Sequence, residues 1–310
     1  MPFFYIGVML LVAVNLLVGL PHALNLAQTS LTAANLPNGS QINPIALSQI
    51  AGIQKVNITP INKGILSPDF SASSVLAQDL DTGFVFFTKD PHKRVPIAST
   101  TKIMAALVGV EYFKANDVLV AKNLPAVAGS SMNLQVGEQV SFRGLLYGML
   151  LNSGNDAAFT IAANYPGGVS GFVAAMNKKA EEMGLKNTSF ENPAGFDSPT
   201  HFSSAFDLSV IAQKAMEDYQ IARVVSTKET SITSVDKVTI HHLKNLNKLL
   251  DTPGVLGIKT GFTPQAKENL IGLIEKDGRK TLTIVLGSDD RFGETKKLMD
   301  WSFVNFSWPQ

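Results

Sequence analysis

The longest unbroken pattern in the chain is an apolar run from Phe3 to Leu20, interrupted only by Asn15. Such a run can cross a bilayer as a helix, and it is long for the core of a signal peptide. No Lys or Arg precedes it and none follows until Lys55, so flanking charge does not orient it. Residues 1–27 are therefore expected to be a signal peptide or an N-terminal membrane anchor. From 28 to 69 the periodicity gives way to Asn, Thr, Ser, Gln, Pro and Ala, the composition of a flexible linker. Residues 70–310 read as one folded domain.

Within that domain, Ser74 to Leu80 and Phe84 to Thr88 flank Asp81-Thr82-Gly83, a strand–turn–strand signal. Ile103, Ala106, Leu107 and Val110 recur at helical spacing, which predicts a largely buried helix opening at Ser99. Further helices are predicted over Phe142 to Leu151, Asn155 to Asn164, Gly168 to Met183 and Ser204 to Met216. The C-terminal part is β-rich, with Leu270 to Ile274 and Thr281 to Gly287 joined through Lys276-Asp277-Gly278-Arg279, and an amphipathic helix from Arg291 to Phe306 closes it. Strands at both ends with helices between them predict one sheet assembled from distant segments, with a helical insertion.

Composition narrows the chemistry. Hydrophobic residues make up 45% and charged residues 16%, a globular balance, and the net charge of +1 gives no reason to expect nucleic acid as a partner. The absence of cysteine excludes disulfides, thiolate metal sites and a Cys nucleophile. The histidines are scattered as His22, His92, His201, His241 and His242, so a histidine metal cluster is not expected. The adjacent pair His241-His242 would point to opposite faces of a strand.

Three short elements carry candidate chemistry. In Ser99-Thr100-Thr101-Lys102, the i and i+3 side chains share a helix face, so the lysine could take the serine proton if burial lowers its pKa. A helix N-terminus would add an N–H for an oxyanion. Ser153-Gly154-Asn155 lies between two predicted helices; its hydroxyl could relay a proton and its amide could grip a peptide carbonyl. Lys259-Thr260-Gly261 could hold a carboxylate on a strand whose edge accepts an extended peptide. Taken singly, the three equally describe a helix cap with a solvated lysine, an ordinary cap, and a surface strand with an incidental lysine.

In this order the three match the signature set of penicillin-binding proteins and class A β-lactamases, with Gly154 where that set has Asp. The chain resembles the low-molecular-mass penicillin-binding proteins, the D-alanyl-D-alanine carboxypeptidase family. The likeness extends over Arg94 to Lys102, Ser153 to Ala158, Asn192 to Asp197, His201 to Leu208 and Gly257 to Thr263. It departs after Thr263, where the family's Ala-Gly pair is replaced by Ala266-Lys267.

The resemblance implies a β-lactamase-like α+β fold, an antiparallel sheet flanked by helices with a helical subdomain, for the catalytic domain 70–310. It implies that Ser99 is the nucleophile, Lys102 its base and Ser153 the proton relay to the leaving amine. Asn155 would hold the stem peptide, Lys259 and Thr260 the terminal carboxylate beside Gly261, and the N–H groups of Ser99 and Phe262 the oxyanion. No metal or cofactor is implied. The substrate would be a peptidoglycan stem ending in D-Ala-D-Ala, β-lactam antibiotics would inhibit, and the enzyme would act outside the cytoplasm. Relatives often carry a further β-rich domain and a C-terminal anchor, so here attachment to the membrane would fall to the N-terminal segment. An endopeptidase cutting cross-links would use the same residues. A β-lactamase would need a base such as Glu191, and a non-catalytic penicillin- or wall-binding protein would be expected to have lost Ser99, Lys102 or Lys259.

Overall fold

The computed structural model describes residues 59–122, 124 and 129–308. The Phe3–Leu20 run lies outside them; among the described residues no helix is long and apolar enough to cross a membrane.

The central sheet has five strands, β2 (Ser74–Asp79), β3 (Val85–Lys89), β8 (Val255–Thr263), β9 (Lys267–Lys276) and β10 (Arg279–Ser288). Their order is β3-β2-β10-β9-β8, antiparallel throughout. N- and C-terminal segments thus share one sheet, as the pattern of strands predicted. Alternate residues of each strand face different layers. Val75, Ala77 and Val285 pack with Leu298 of α7 (Arg291–Asn305), while Leu76, Leu282 and Ile284 join the large cluster on the other face. Both faces are covered, so β10 is buried continuously from Thr281 to Ser288 instead of at alternate residues.

Between β3 and β8 lies the helical part: α1 (Lys102–Tyr112), α2 (Phe142–Leu150), α3 (Asn155–Ala163), α4 (Gly168–Glu182), α5 (Ala205–Glu217) and α6 (Tyr219–Val225). Helix α1 is buried over eight consecutive residues, Lys102 to Gly109, and forms the centre of the domain. Ser141 caps α2, Ser204 caps α5 and Asp218 caps α6 by accepting backbone N–H groups. Two small antiparallel pairs, β4 (Val118–Val120) with β5 (Gln139–Ser141) and β6 (Glu229–Thr233) with β7 (Ile240–Lys244), frame α2 and had no clear signal in the sequence. On β7, His241 is buried and His242 exposed, opposite faces as expected.

Part of the stretch read as linker from composition is docked. β1 (Ile61–Asn62) pairs with β11 (Phe306–Ser307), Ile65 N–H donates to Asn305 Oδ1 (2.8 Å) and Trp301 Nε1 donates to the Ile65 carbonyl (3.0 Å). The folded unit therefore starts upstream of Phe70. Most side chains of 61–69 stay exposed, which is why their composition looked like linker.

Candidate active site

Ser99 sits in a single 3-10 turn, Ala98–Thr101, and the α-helix proper begins only at Lys102. The sequence placed Ser99 at the start of the α-helix. In a 3-10 turn residues i and i+3 eclipse, which brings Lys102 over Ser99 more directly than α geometry would. Hydroxyls brace the turn: Thr100 Oγ1 donates to the Ile97 carbonyl (2.7 Å) and Thr101 Oγ1 to the Ala98 carbonyl (2.8 Å). Ala98 adopts a left-handed φ of 47°, a conformation that surroundings must enforce. Backbone closes on it from two sides. A Cβ on Gly195 would lie 1.9 Å from the Ala98 carbonyl oxygen, and one on Gly261 3.0 Å from that of Ile97.

Lys102 is fully buried, and its Nζ meets three groups: Ser99 Oγ at 2.9 Å, Asn155 Oδ1 at 2.8 Å and the Ala194 carbonyl at 2.7 Å. Burial holds its pKa well below the ordinary lysine range; repulsion by Lys259 adds to this and Asp156 opposes it. Lys259 is also buried, donates to the Thr260 carbonyl (3.0 Å), and is pushed down to about 7 by burial and by Arg291. Burial, which the sequence named as the way to a neutral Lys102, is the larger cause, ahead of the Lys259 charge.

The loop joining α2 to α3 brings up the second element. Ser153 is buried with φ 62°, and Asn155 opens α3. A Cβ at Gly154 would come 2.9 Å from the Gly148 carbonyl oxygen and 2.9 Å from Asp156 Oδ1, which accounts for glycine at this position. Asp156, itself buried, accepts from Ser131 Oγ (2.6 Å) and from the N–H groups of Met132 (3.0 Å) and Leu134 (2.9 Å), tying the loop at 130–134 to α3.

Ser99, Ser153, Asn155, Thr260, Gly261 and Phe262 line one cleft of about 460 Å³, with Lys102 and Lys259 buried among them. Two further lining residues had not been singled out, Asp197 and Arg291. Arg291 Nη1 donates to the Gly261 carbonyl (2.9 Å), and its buried Nε has no partner among the described residues. Its sequence signal is local: a cation in the first turn of a helix opposes the helix dipole, so another reason must hold it there. Asp197 Oδ1 accepts from Thr263 Oγ1 (2.8 Å) at the cleft mouth.

His201 supports the turn from below. Thr101 Oγ1 spends its hydrogen on Ala98, so it accepts from His201 Nε2 (2.8 Å), while His201 Nδ1 accepts the Glu191 N–H (3.0 Å). Burial lowers this histidine to about 4, so it is neutral at ordinary pH. Glu191 itself is exposed, accepts from Thr200 Oγ1 (2.9 Å) and does not line the cleft. Among the described residues no cluster of side chains could hold a metal ion.

The profile of the D-alanyl-D-alanine carboxypeptidase family matches residues 62–290. The chain is 34% identical over 246 residues to the D-alanyl-D-alanine carboxypeptidase DacF of Bacillus subtilis, covering 76% of this chain and 63% of that protein. It thus spans under two-thirds of that relative's length. It is 33% identical over 265 residues to a D-alanyl-D-alanine carboxypeptidase of a Streptomyces species, covering 77% of this chain and 90% of the relative. The crystal structure of a Streptomyces DD-transpeptidase superposes with a TM-score of 0.74 at 31% identity, covering 77% of this chain and all of the other. The antiparallel sheet with its helical insertion is the fold of these enzymes, and the chain belongs to the D-alanyl-D-alanine carboxypeptidase family.

Proposed function

We propose that this protein is a serine D-Ala-D-Ala carboxypeptidase that removes the terminal D-alanine from peptidoglycan stem peptides through an acyl-enzyme on Ser99. The observation that carries this reading is the setting of Lys102. Two of its three neighbours, Asn155 Oδ1 and the Ala194 carbonyl, can only accept hydrogen bonds. A neutral amine spends its two hydrogens on them, which turns its lone pair toward Ser99 Oγ. Burial favours the neutral amine.

The steps follow from these positions. Lys102 Nζ takes the Ser99 proton as Oγ attacks the carbonyl between the two D-alanines. The backbone N–H groups of Ser99 and Phe262 receive the oxyanion. Lys259, Thr260 and Arg291 hold the terminal carboxylate, Asn155 also faces the stem peptide, and the proton reaches the departing amine through Ser153. Water then frees the shortened stem. The sole carboxylate among the described cleft-lining residues is Asp197, bonded to Thr263. Nothing corresponding to the Glu base of a class A β-lactamase therefore faces Ser99, which favours a peptidase over that enzyme.

The domain plan that accompanies this reading is an exported protein. Residues 1–27 would be its signal or anchor, a linker would follow, and the enzyme would work outside the cytoplasm with β-lactams as inhibitors. The test is incubation of the protein with a diacyl-D-Ala-D-Ala peptide and with a cross-linked stem dimer. Released D-alanine from the first and a penicillin adduct on Ser99, lost in Ser99→Ala, are expected. Monomer release alone would assign an endopeptidase, and neither product with no adduct would overturn the enzyme reading.

A further inference from the structure

The groups that aim Lys102 at Ser99 sit on two separate chain segments. The 3-10 turn carries Ser99 and leads into Lys102, while the loop at 191–196 supplies the Ala194 carbonyl that meets Lys102 Nζ. That loop is folded around Asn192, whose Oδ1 accepts from the N–H groups of Ala194 (3.2 Å), Gly195 (2.7 Å) and Phe196 (3.0 Å). Backbone bridges join both segments to the stretch at 201–203, yet they stop short of the reactive groups. Ser203 exchanges hydrogen bonds with Val95, upstream of the turn, and Phe202 with Ser189, upstream of the loop.

The side chain of His201 carries the connection on to both. It is buried, and the Phe190 ring packs edgewise on it with centroids 5.8 Å apart. Its partners fix the tautomer. The Glu191 N–H can only donate, so Nδ1 keeps its lone pair and the hydrogen sits on Nε2. Thr101 Oγ1 receives that hydrogen and passes its own to the carbonyl of Ala98, the residue held at a left-handed φ beside Ser99. A one-way chain of hydrogen bonds thus runs from the first residue of the loop to the first residue of the turn. An apolar side chain could fill the same space, but it would give the Thr101 hydroxyl no direction. We propose, on the carboxypeptidase reading above, that His201 is a positioning residue for acylation. It holds the Ser99 turn in register with the Ala194 loop, so that the Lys102 lone pair stays aimed at Ser99 Oγ. The acceptor at Nδ1 selects the tautomer, and the donor at Nε2 holds the turn.

The test follows benzylpenicillin acylation of the full chain in detergent by stopped flow, in His201→Gln, His201→Asn and Thr101→Val. The Gln amide nitrogen reaches the place of Nε2 and always donates, so it needs no partner to set it. The Asn amide ends at the place of Nδ1 and leaves Thr101 Oγ1 without its donor. His201→Asn is expected to lower the limiting acylation rate about tenfold or more, the cost of a misaimed base. The half-saturating penicillin concentration should not change, because Lys259, Thr260 and Arg291 are untouched. His201→Gln should acylate close to the wild-type rate, and His201→Asn should cost nothing further in the Thr101→Val background. A wild-type rate in His201→Asn, equal losses in Asn and Gln, a loss confined to the half-saturating concentration, or full additivity with Thr101→Val would overturn the proposal. If His201→Asn does not fold, nitrogen-15 spectra of the unaltered chain labelled at histidine decide: hydrogen on Nε2 is expected, and hydrogen on Nδ1 would overturn it. No acylation in the unaltered chain would overturn the carboxypeptidase reading itself, whereas the wrong pattern among variants of an active parent overturns the role of His201 alone.

Discussion

At the scale of single residues, the two buried lysines should give opposite pH limbs. Lys102 must be unprotonated to act, so acylation falls as pH drops through its depressed pKa. Lys259 must be protonated to hold a carboxylate, and its value of about 7 means that this hold weakens as pH rises above that point. kcat/KM for a D-Ala-D-Ala peptide is therefore expected to be bell-shaped, with its alkaline limb near neutrality. In Lys259→Arg that limb should move out of range, because guanidinium keeps its charge; an unmoved limb would take Lys259 out of carboxylate binding. Asn155 is the matching test of lone-pair orientation. Asn155→Ala frees the Lys102 amine to turn and should slow penicillin acylation about a hundredfold. Asn155→Asp puts an anion 2.8 Å away, raises the Lys102 pKa and should shift the acid limb to higher pH. A profile left in place by both changes would argue against Asn155 as a positioning residue.

Elements explain why these side chains meet. The 3-10 turn before α1 is pressed between the loop at Gly195 and strand β8 at Gly261. Gly195→Ala would drive a methyl group into the Ala98 carbonyl, and Gly195 itself has a φ of 92°. Loss of most penicillin acylation is expected, together with a lower melting temperature; wild-type acylation would show that the turn is not held this way. The β8–β9 turn gives the converse case. Lys267 has a φ of 55°, which costs a non-glycine residue roughly 1–2 kcal/mol. The exposed Lys267–Asp289 pair offsets little of it. Lys267→Gly is expected to raise stability by about 1 kcal/mol in denaturant titration, and a decrease would refute the strain argument.

For the whole molecule, the central sheet is assembled from segments far apart in sequence, and the docked stretch before Phe70 adds a separate two-stranded pair, β1 with β11. Deleting residues 1–69 removes β1 and the carbonyl that receives Trp301 Nε1, leaving β11 unpaired. Deletion of 1–58 supplies the melting temperature for comparison. The longer deletion should lower it by several degrees, at about 2–4 °C per kcal/mol for a domain of this size, with penicillin acylation retained. Equal melting temperatures would mean the segment contributes nothing to the fold.

What the sequence determined by itself is what local pattern encodes. The periodicity around Ile103, the helices from Phe142 to Met216 and the apolar runs at 270–274 and 281–287 specified the main elements, because each buries a regular face. The ordered motifs around Ser99, Ser153 and Lys259 named the chemistry, because they work as a set. Short or polar elements escaped: three-residue β4 and seven-residue α6 are too brief for periodicity, and 61–69 keeps its polar side chains in water. Only the tertiary structure decided what surrounds each reactive group. That Asn155 and the Ala194 carbonyl aim Lys102 at Ser99, that burial outweighs Lys259 in lowering its pKa, and that Arg291 enters the cleft are consequences of packing between distant segments. Desolvation and hydrogen-bond geometry exist only once those segments have met.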